Sequence, residues 1–202
     1  MTPPVSLLAG QQVEVLDTET TGLSPAEGHS LVEVARVSVV DGALGPTWSS
    51  LVHPGRPIPA EATAVHGITD AMVADAASPA EVAGRLRHDC GDRTLVFHNA
   101  AFDLPFLMAV LRATGQPPLL APIVDTLGLA RGLSSAGSNS LGALAARLGL
   151  PREPAHRAQG DALTTARLFL LLAERWERER GVRSLAELAA ASQDVLRLAG
   201  RR

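Results

Sequence analysis

Val13-Glu14-Val15-Leu16 reads as a short strand that runs into Asp17-Thr18-Glu19-Thr20-Thr21-Gly22. Leu31 to Val40 is rich in valine, with Glu33, Arg36 and Ser38 interspersed, and predicts a second strand. Asp41-Gly42 marks the turn after it, and Pro46 to His53 is expected to pair back antiparallel as a third. Ser78-Pro79-Ala80-Glu81 combines an N-cap, a proline at the first helical position and a glutamate three residues after the cap. It predicts a helix through Val82 and Leu86 to about His88. Thr94 to His98 is a compact apolar strand, followed by a helix from about Ala101 to Thr114. Ile123-Val124-Asp125 predicts a further short strand, with Asp125 as the cap of a following helix. Helical periodicity marks Ser140 to Leu148 and Gly160 to about Arg180, and Ser184 with Glu187 starts a last helix ending near Ala199. Pro57 to Pro59 and Pro117 to Pro122 read as loops. Three early strands joined by turns, then strands alternating with helices, predict an α/β sheet with helices packed against it.

Composition narrows the class. The chain has 202 residues, 46% of them hydrophobic and 19% charged, which suits one folded domain and excludes wholesale disorder. A lone cysteine, Cys90, excludes an intramolecular disulfide or a cysteine-based zinc cluster, and is expected to be inert. All 18 basic residues are arginine, and the chain contains no tyrosine. A net charge of -3 excludes a broadly basic coat for nucleic acid, although a site that grips phosphate through metal ions needs carboxylates of its own. Met1 to Gly10 lacks a basic leader region, and the longest apolar run, Leu168 to Ala173, falls far short of the roughly 18 residues a membrane span needs. The expectation is a cytoplasmic protein with no membrane partner.

Three segments carry candidate chemistry. Alternation along a strand lets Asp17 and Glu19 point the same way, and two such carboxylates at a strand end suit a hard divalent cation. A solvated strand end is the plain alternative. In His98-Asn99-Ala100-Ala101-Phe102-Asp103 a strand gives way to a helix, so Asp103 falls near a helix N-terminus, where any anion is favoured. Phe97, Phe102 and Phe106 cluster in a chain with only four phenylalanines, and a local core accounts for Phe97 and Phe106. In His156-Arg157-Ala158-Gln159-Gly160-Asp161-Ala162 a loop opens a long helix, with Asp161 in its first turn and a histidine able to take a proton near neutral pH.

Taken together, Asp17-Thr18-Glu19-Thr20-Thr21-Gly22-Leu23, His98-Asn99-Ala100-Ala101-Phe102-Asp103 and His156-x4-Asp161-Ala162 resemble the three motifs of the DnaQ-like branch of the DEDD 3′→5′ exonucleases, which includes bacterial polymerase III proofreading subunits. Val65-His66-Gly67-Ile68-Thr69 resembles a segment that follows the third strand in that family, and the likeness spans about residues 11 to 175. The superfamily divides on a histidine or a tyrosine in the third motif, so a chain without tyrosine falls in the histidine (DEDDh) branch.

The resemblance implies a ribonuclease-H-like mixed sheet, three strands antiparallel and the rest parallel, flanked by helices. It implies two Mg²⁺ or Mn²⁺ ions. Asp17 would be shared between them, with Glu19 and Asp161 at one and Asp103 at the other, and His156 would act as the base. The implied product is a nucleoside 5′-monophosphate released from a single-stranded 3′ end, DNA in a proofreading or repair enzyme or RNA in a trimming enzyme. Thr18, Thr20, Leu23, His66, Asn99 and Phe102 are implied around the terminal nucleotide, with Leu23 wedged against the last base. The competing reading makes Leu23, Val65 and Ile68 simply core, with Val65 evenly balanced between the two. A polymerase or a sliding clamp is an implied partner, and Gln193-Asp194-Val195-Leu196-Arg197-Leu198 faintly resembles a clamp-binding peptide, although an amphipathic helix explains it as well. The absence of a tail beyond residue 202 favours a free-standing enzyme or a short proofreading homologue. The competing function class is a catalytically retired interaction module, against which stands the presence of all five catalytic positions.

Overall fold

The computed structural model describes residues 7–134, 137–151 and 153–199. Strands β1 (Gln12–Thr20), β2 (Leu31–Val40), β3 (Ala43–Leu51), β4 (Leu95–Phe97) and β5 (Ile123–Asp125) form one sheet in the order β3-β2-β1-β4-β5. The first three are antiparallel, while β4 runs parallel to β1 and β5 parallel to β4. Helices α1 (Ala60–His66), α2 (Asp70–Val73), α3 (Pro79–Cys90), α4 (Ala100–Ala113), α5 (Thr126–Leu133), α6 (Leu141–Arg147), α7 (Ala158–Arg180) and α8 (Leu185–Ala199) complete it. Residues 1–6, within the segment read for a leader, lie outside the described residues. No described helix is long and apolar enough to cross a membrane.

Helices cover both faces of the sheet, so the polar members of β2 have no solvent face. Val13, Val15, Ala35, Val37 and Val39 pack with Ala162, Ala166 and Phe169 of α7 on one side. Leu16 and Val34 pack with Val82 and Leu86 of α3 and Leu107 and Leu111 of α4 on the other. On that second side Arg36 and Ser38 are buried against Glu14, with Arg36 Nη1 2.7 Å from Glu14 Oε2. Unpaired, those charges would cost several kcal/mol each to bury.

Two expectations shift. The third strand begins at Ala43, before Pro46, and ends at Leu51. A sheet edge tolerates a proline, because one side of the strand needs no ladder partner. The stretch after Pro59 holds two short helices, α1 and α2, which the sequence reading left unassigned. Neither has a side-chain cap. Ile58, Ile68 and Val73 instead gather on Val32, so packing supplies what local capping does not. The capping box at Ser78 is present in full, and α3 runs to Cys90. The faint clamp-like segment lies in α8, where Val195 packs against the core.

Candidate active site

The two-residue period of β1 builds the site. Val13 and Val15 face α7, so Asp17 and Glu19, next in the same series, face it too. Asp161 in the first turn of α7 meets them there. A carboxylate oxygen from each of Asp17, Glu19 and Asp161 lies within 4.8 Å of the other two. Burial and the neighbouring acids raise the pKa of all three. Asp17 is held well above the ordinary carboxylate range by burial and then by Asp103, Asp161, Glu19 and Glu33. Glu19 is pushed up to about 8, by burial first and then by Asp161 and Glu33. Asp161 is also raised by burial, against the backbone hydrogen bond and the charge of His156.

Asp103 is outside this trio, on the other side of the sheet, and its charge acts on Asp17 and Glu19 from there. Thr18 belongs to the opposite series on β1 and faces α4, where its backbone N–H and its hydroxyl both donate to Asp103 Oδ1, at 2.9 and 2.7 Å. Burial drives the Asp103 carboxyl up to about 7, and those two bonds pull in the other direction. Thr18 is thus buried and committed to a carboxylate, although the resemblance implied a place against the nucleotide.

A loop folded back on α7 presents His156. Its backbone sits at a φ of 57°, its N–H donates to Asp161 Oδ2 at 2.9 Å, and its residue is exposed. Gly160 makes this close fold possible, since a Cβ there would lie 2.0 Å from the Pro154 carbonyl oxygen.

Two further carboxylates hold the scaffold, and the motif reading missed one of them. Glu33 stands directly across from Glu19 on β2. Its oxygens accept from Arg157 Nη2 at 2.7 Å, from Arg157 Nε at 3.1 Å and from the Ala158 N–H at 2.9 Å. It therefore caps α7 from another element and pins the chain between His156 and Asp161. A glutamate within a valine-rich strand was the only sequence signal for it. Asp125 was expected to cap a helix, and it does so through the Leu127 N–H at 2.9 Å. It also accepts from Asn99 N at 3.0 Å and Ala100 N at 2.9 Å, and so holds Asn99 at a φ of 73°.

The other candidates divide by exposure. Leu23 and Val65 are exposed, while Ile68 is fully buried and belongs to the core. Thr20 is buried and donates its hydroxyl to the Gly22 carbonyl. His66 is buried, and its Nδ1 accepts from the Ile68 N–H at 3.0 Å, which leaves the proton of the neutral ring on Nε2. Burial lowers its pKa. Phe102 is half-buried with its ring 5.7 Å from that of Phe106, while Phe97 and Phe106 are core. Asn99 is exposed. An open cleft of about 1580 Å³ is lined by Asp17, Asp161, His156 and Asn99 at one end and extends past residues 137–142 and 149–151.

A mixed sheet of this order has the ribonuclease-H-like arrangement, and acids meet at the end of its first strand. The family model described as exonuclease (RNase_T) matches residues 15–169, and the chain belongs to this family. It is 46% identical over 163 residues to the DNA polymerase III subunit epsilon-like protein of Rhodobacter capsulatus, covering 78% of this chain and 23% of that protein. It is 35% identical over 175 residues to the PolC-type DNA polymerase III of Streptococcus pneumoniae, covering 86% of this chain and 12% of that one. The chain thus spans less than a quarter of the length of these relatives. Exonuclease X, solved in complex with 5′ overhanging duplex DNA, is 32% identical with a TM-score of 0.69, covering 89% of this chain and 99% of that one. The E. coli exonuclease I solved with a dT13 oligonucleotide shares the fold at 18% identity, with a TM-score of 0.75 over 85% of this chain and 43% of that one.

Proposed function

We propose that this chain is a DEDDh 3′→5′ exonuclease that releases nucleoside 5′-monophosphates from single-stranded 3′ ends, DNA in the first instance. The observation that carries the proposal is the meeting of Asp17, Glu19 and Asp161 within 4.8 Å. Carboxylates forced up in pKa by burial and by neighbouring acids gain most from a cation placed among them, and an all-oxygen donor set suits Mg²⁺ or Mn²⁺. Asp17, Glu19 and Asp161 would hold one ion, and Asp17 with Asp103 a second. Bound there, the pair supplies positive charge to the scissile phosphate and lowers the pKa of the attacking water.

The side chains then have separate tasks. His156, exposed beside Asp161, takes the proton of the attacking water, and Glu33 and Arg157 hold its loop in place. Thr18 fixes the Asp103 carboxylate rather than touching substrate. Leu23, exposed after the first motif, offers an apolar edge to the terminal base, with Thr20, His66 and Phe102 bordering the base and sugar and Asn99 the strand. Stacking and apolar contacts of this kind are tolerant of base identity. The names of the relatives make a polymerase the partner to look for, in a cytoplasmic setting.

Digestion of 5′-labelled single-stranded DNA and matched RNA, with Mg²⁺, Mn²⁺ or EDTA, tests this reading. A metal-dependent ladder shortening from the 3′ end is expected, faster on DNA. A faster RNA ladder would make the enzyme an RNA trimmer. No cleavage together with no metal binding would leave the interaction module.

A further inference from the structure

We propose that Arg131 binds the phosphodiester backbone of the substrate strand on the 5′ side of the scissile bond, an assignment that rests on the exonuclease reading above. Arg131 lies on α5 and lines the same cleft as Asp17, Asp161 and His156. It is exposed, and its charge reaches His98, next to Asn99 at the start of the second motif.

Its lack of a protein partner singles it out. Among the described arginines, only Arg112 and Arg131 have side chains with no hydrogen bond or ion pair, and only Arg131 of those two lines the cleft. The ordinary reason for a cation in the last turn of a helix is to meet the terminal carbonyls. On α5 that task is already filled: Arg180 donates to the Gly132 carbonyl at 2.9 Å, and the Ser134 N–H to that of Ala130 at 3.0 Å. The other charges along the wall are also engaged. Glu153 pairs with Arg167 at 2.5 Å, and Asp161 accepts from the His156 N–H at 2.9 Å.

Cations held by the carboxylate cluster can neutralise only the phosphate being cleaved. The next phosphates of a strand leaving the cluster along this cleft pass residues of a net acidic protein, and an unpaired guanidinium in a cleft that Ser138 and Ser140 also line is suited to receive one. Such a contact positions the strand without reading its sequence.

The test compares two substrates on wild type, Arg131→Gln and Arg131→Lys. One is a single-stranded DNA 20-mer, and the other is the p-nitrophenyl ester of thymidine 5′-monophosphate, which has no strand beyond the reacting phosphate. The ratio of kcat/KM for the 20-mer to that for the ester is expected to fall about tenfold in Arg131→Gln, mostly through KM, with partial recovery in Arg131→Lys. The slope of log KM against log salt for the 20-mer should drop by about 0.7, one phosphate contact on a single strand. An unchanged ratio and slope, or equal losses on both substrates, would overturn the role of Arg131. If wild type cleaves neither substrate with Mg²⁺ or Mn²⁺, the exonuclease reading itself fails first.

Discussion

Asp17 has acids on every side, and its replacement tests the site most directly. Asp17→Ala is expected to abolish metal-dependent cleavage, while the melting temperature of the metal-free protein holds or rises, since one of several mutually repelling carboxylates is gone. Wild-type turnover in that variant would remove Asp17 from the machinery. His156→Ala should slow turnover about 10²–10⁴-fold with Mn²⁺ binding largely kept, and an unchanged rate across neutral pH would mean that another base acts. At this scale the sequence was legible wherever a local period sufficed. The D-x-E alternation placed Asp17 and Glu19 together, and the first turn of a long helix placed Asp161. Thr18 was not legible in the same way, because its partner Asp103 lies 85 residues away and on another element. Cys90 agrees with its expected inertness: burial pushes its thiol up to about 12. A thiol reagent should therefore modify it only as fast as the protein unfolds. Rapid labelling of the folded protein would contradict that.

At the scale of elements, Glu33 links β2 to the start of α7, and so joins one strand to the loop that carries His156. Glu33→Gln is expected to cost about 1–3 kcal/mol, because a Gln amide presents donors where Arg157 and Ala158 already donate. It should also lower kcat more than it raises KM, as the histidine loop loses its anchor. Thermal denaturation and steady-state kinetics on an oligonucleotide check both, and a normal kcat would show that α7 orients its own first turn. Capping explains which elements could be read in advance. Ser78 and Glu81 announce α3 locally, and that helix starts where expected. Helices α1 and α2 carry no such cap, follow a proline-rich stretch and form where Ile58, Ile68 and Val73 can bury against Val32. The proline in β3 misled for a related reason, since only the finished sheet shows that this strand lies at the edge.

For the molecule as a whole, the carboxylate cluster ties stability to pH. Glu19 is raised from its ordinary 4.5 to about 8 and Asp103 from 3.8 to about 7. A carboxyl whose folded pKa lies above its unfolded value stabilises fully below the unfolded value, and that contribution is lost as pH rises through the folded one. The metal-free protein should therefore melt at progressively lower temperature from about pH 4.5 to pH 8. Added Mn²⁺ should offset the loss, increasingly so toward pH 8, where the ligands are ionised. A melting temperature that is flat with pH in EDTA, measured by calorimetry, would show that burial and neighbouring charge do not raise these carboxyls. By itself the sequence determined the strands and helices with strong local periodicity or caps, and the spacing of the acids along their own elements. The tertiary structure alone decided that Asp161 meets the Asp17–Glu19 pair, that Glu33 holds backbone rather than standing free, that Asp125 also holds the Asn99 turn, and that the Arg131 side chain is left without a hydrogen bond or ion pair. Local patterns specify which way a side chain points from its own strand or helix; what it meets there depends on segments more than a hundred residues away, as with Glu33 and Ala158.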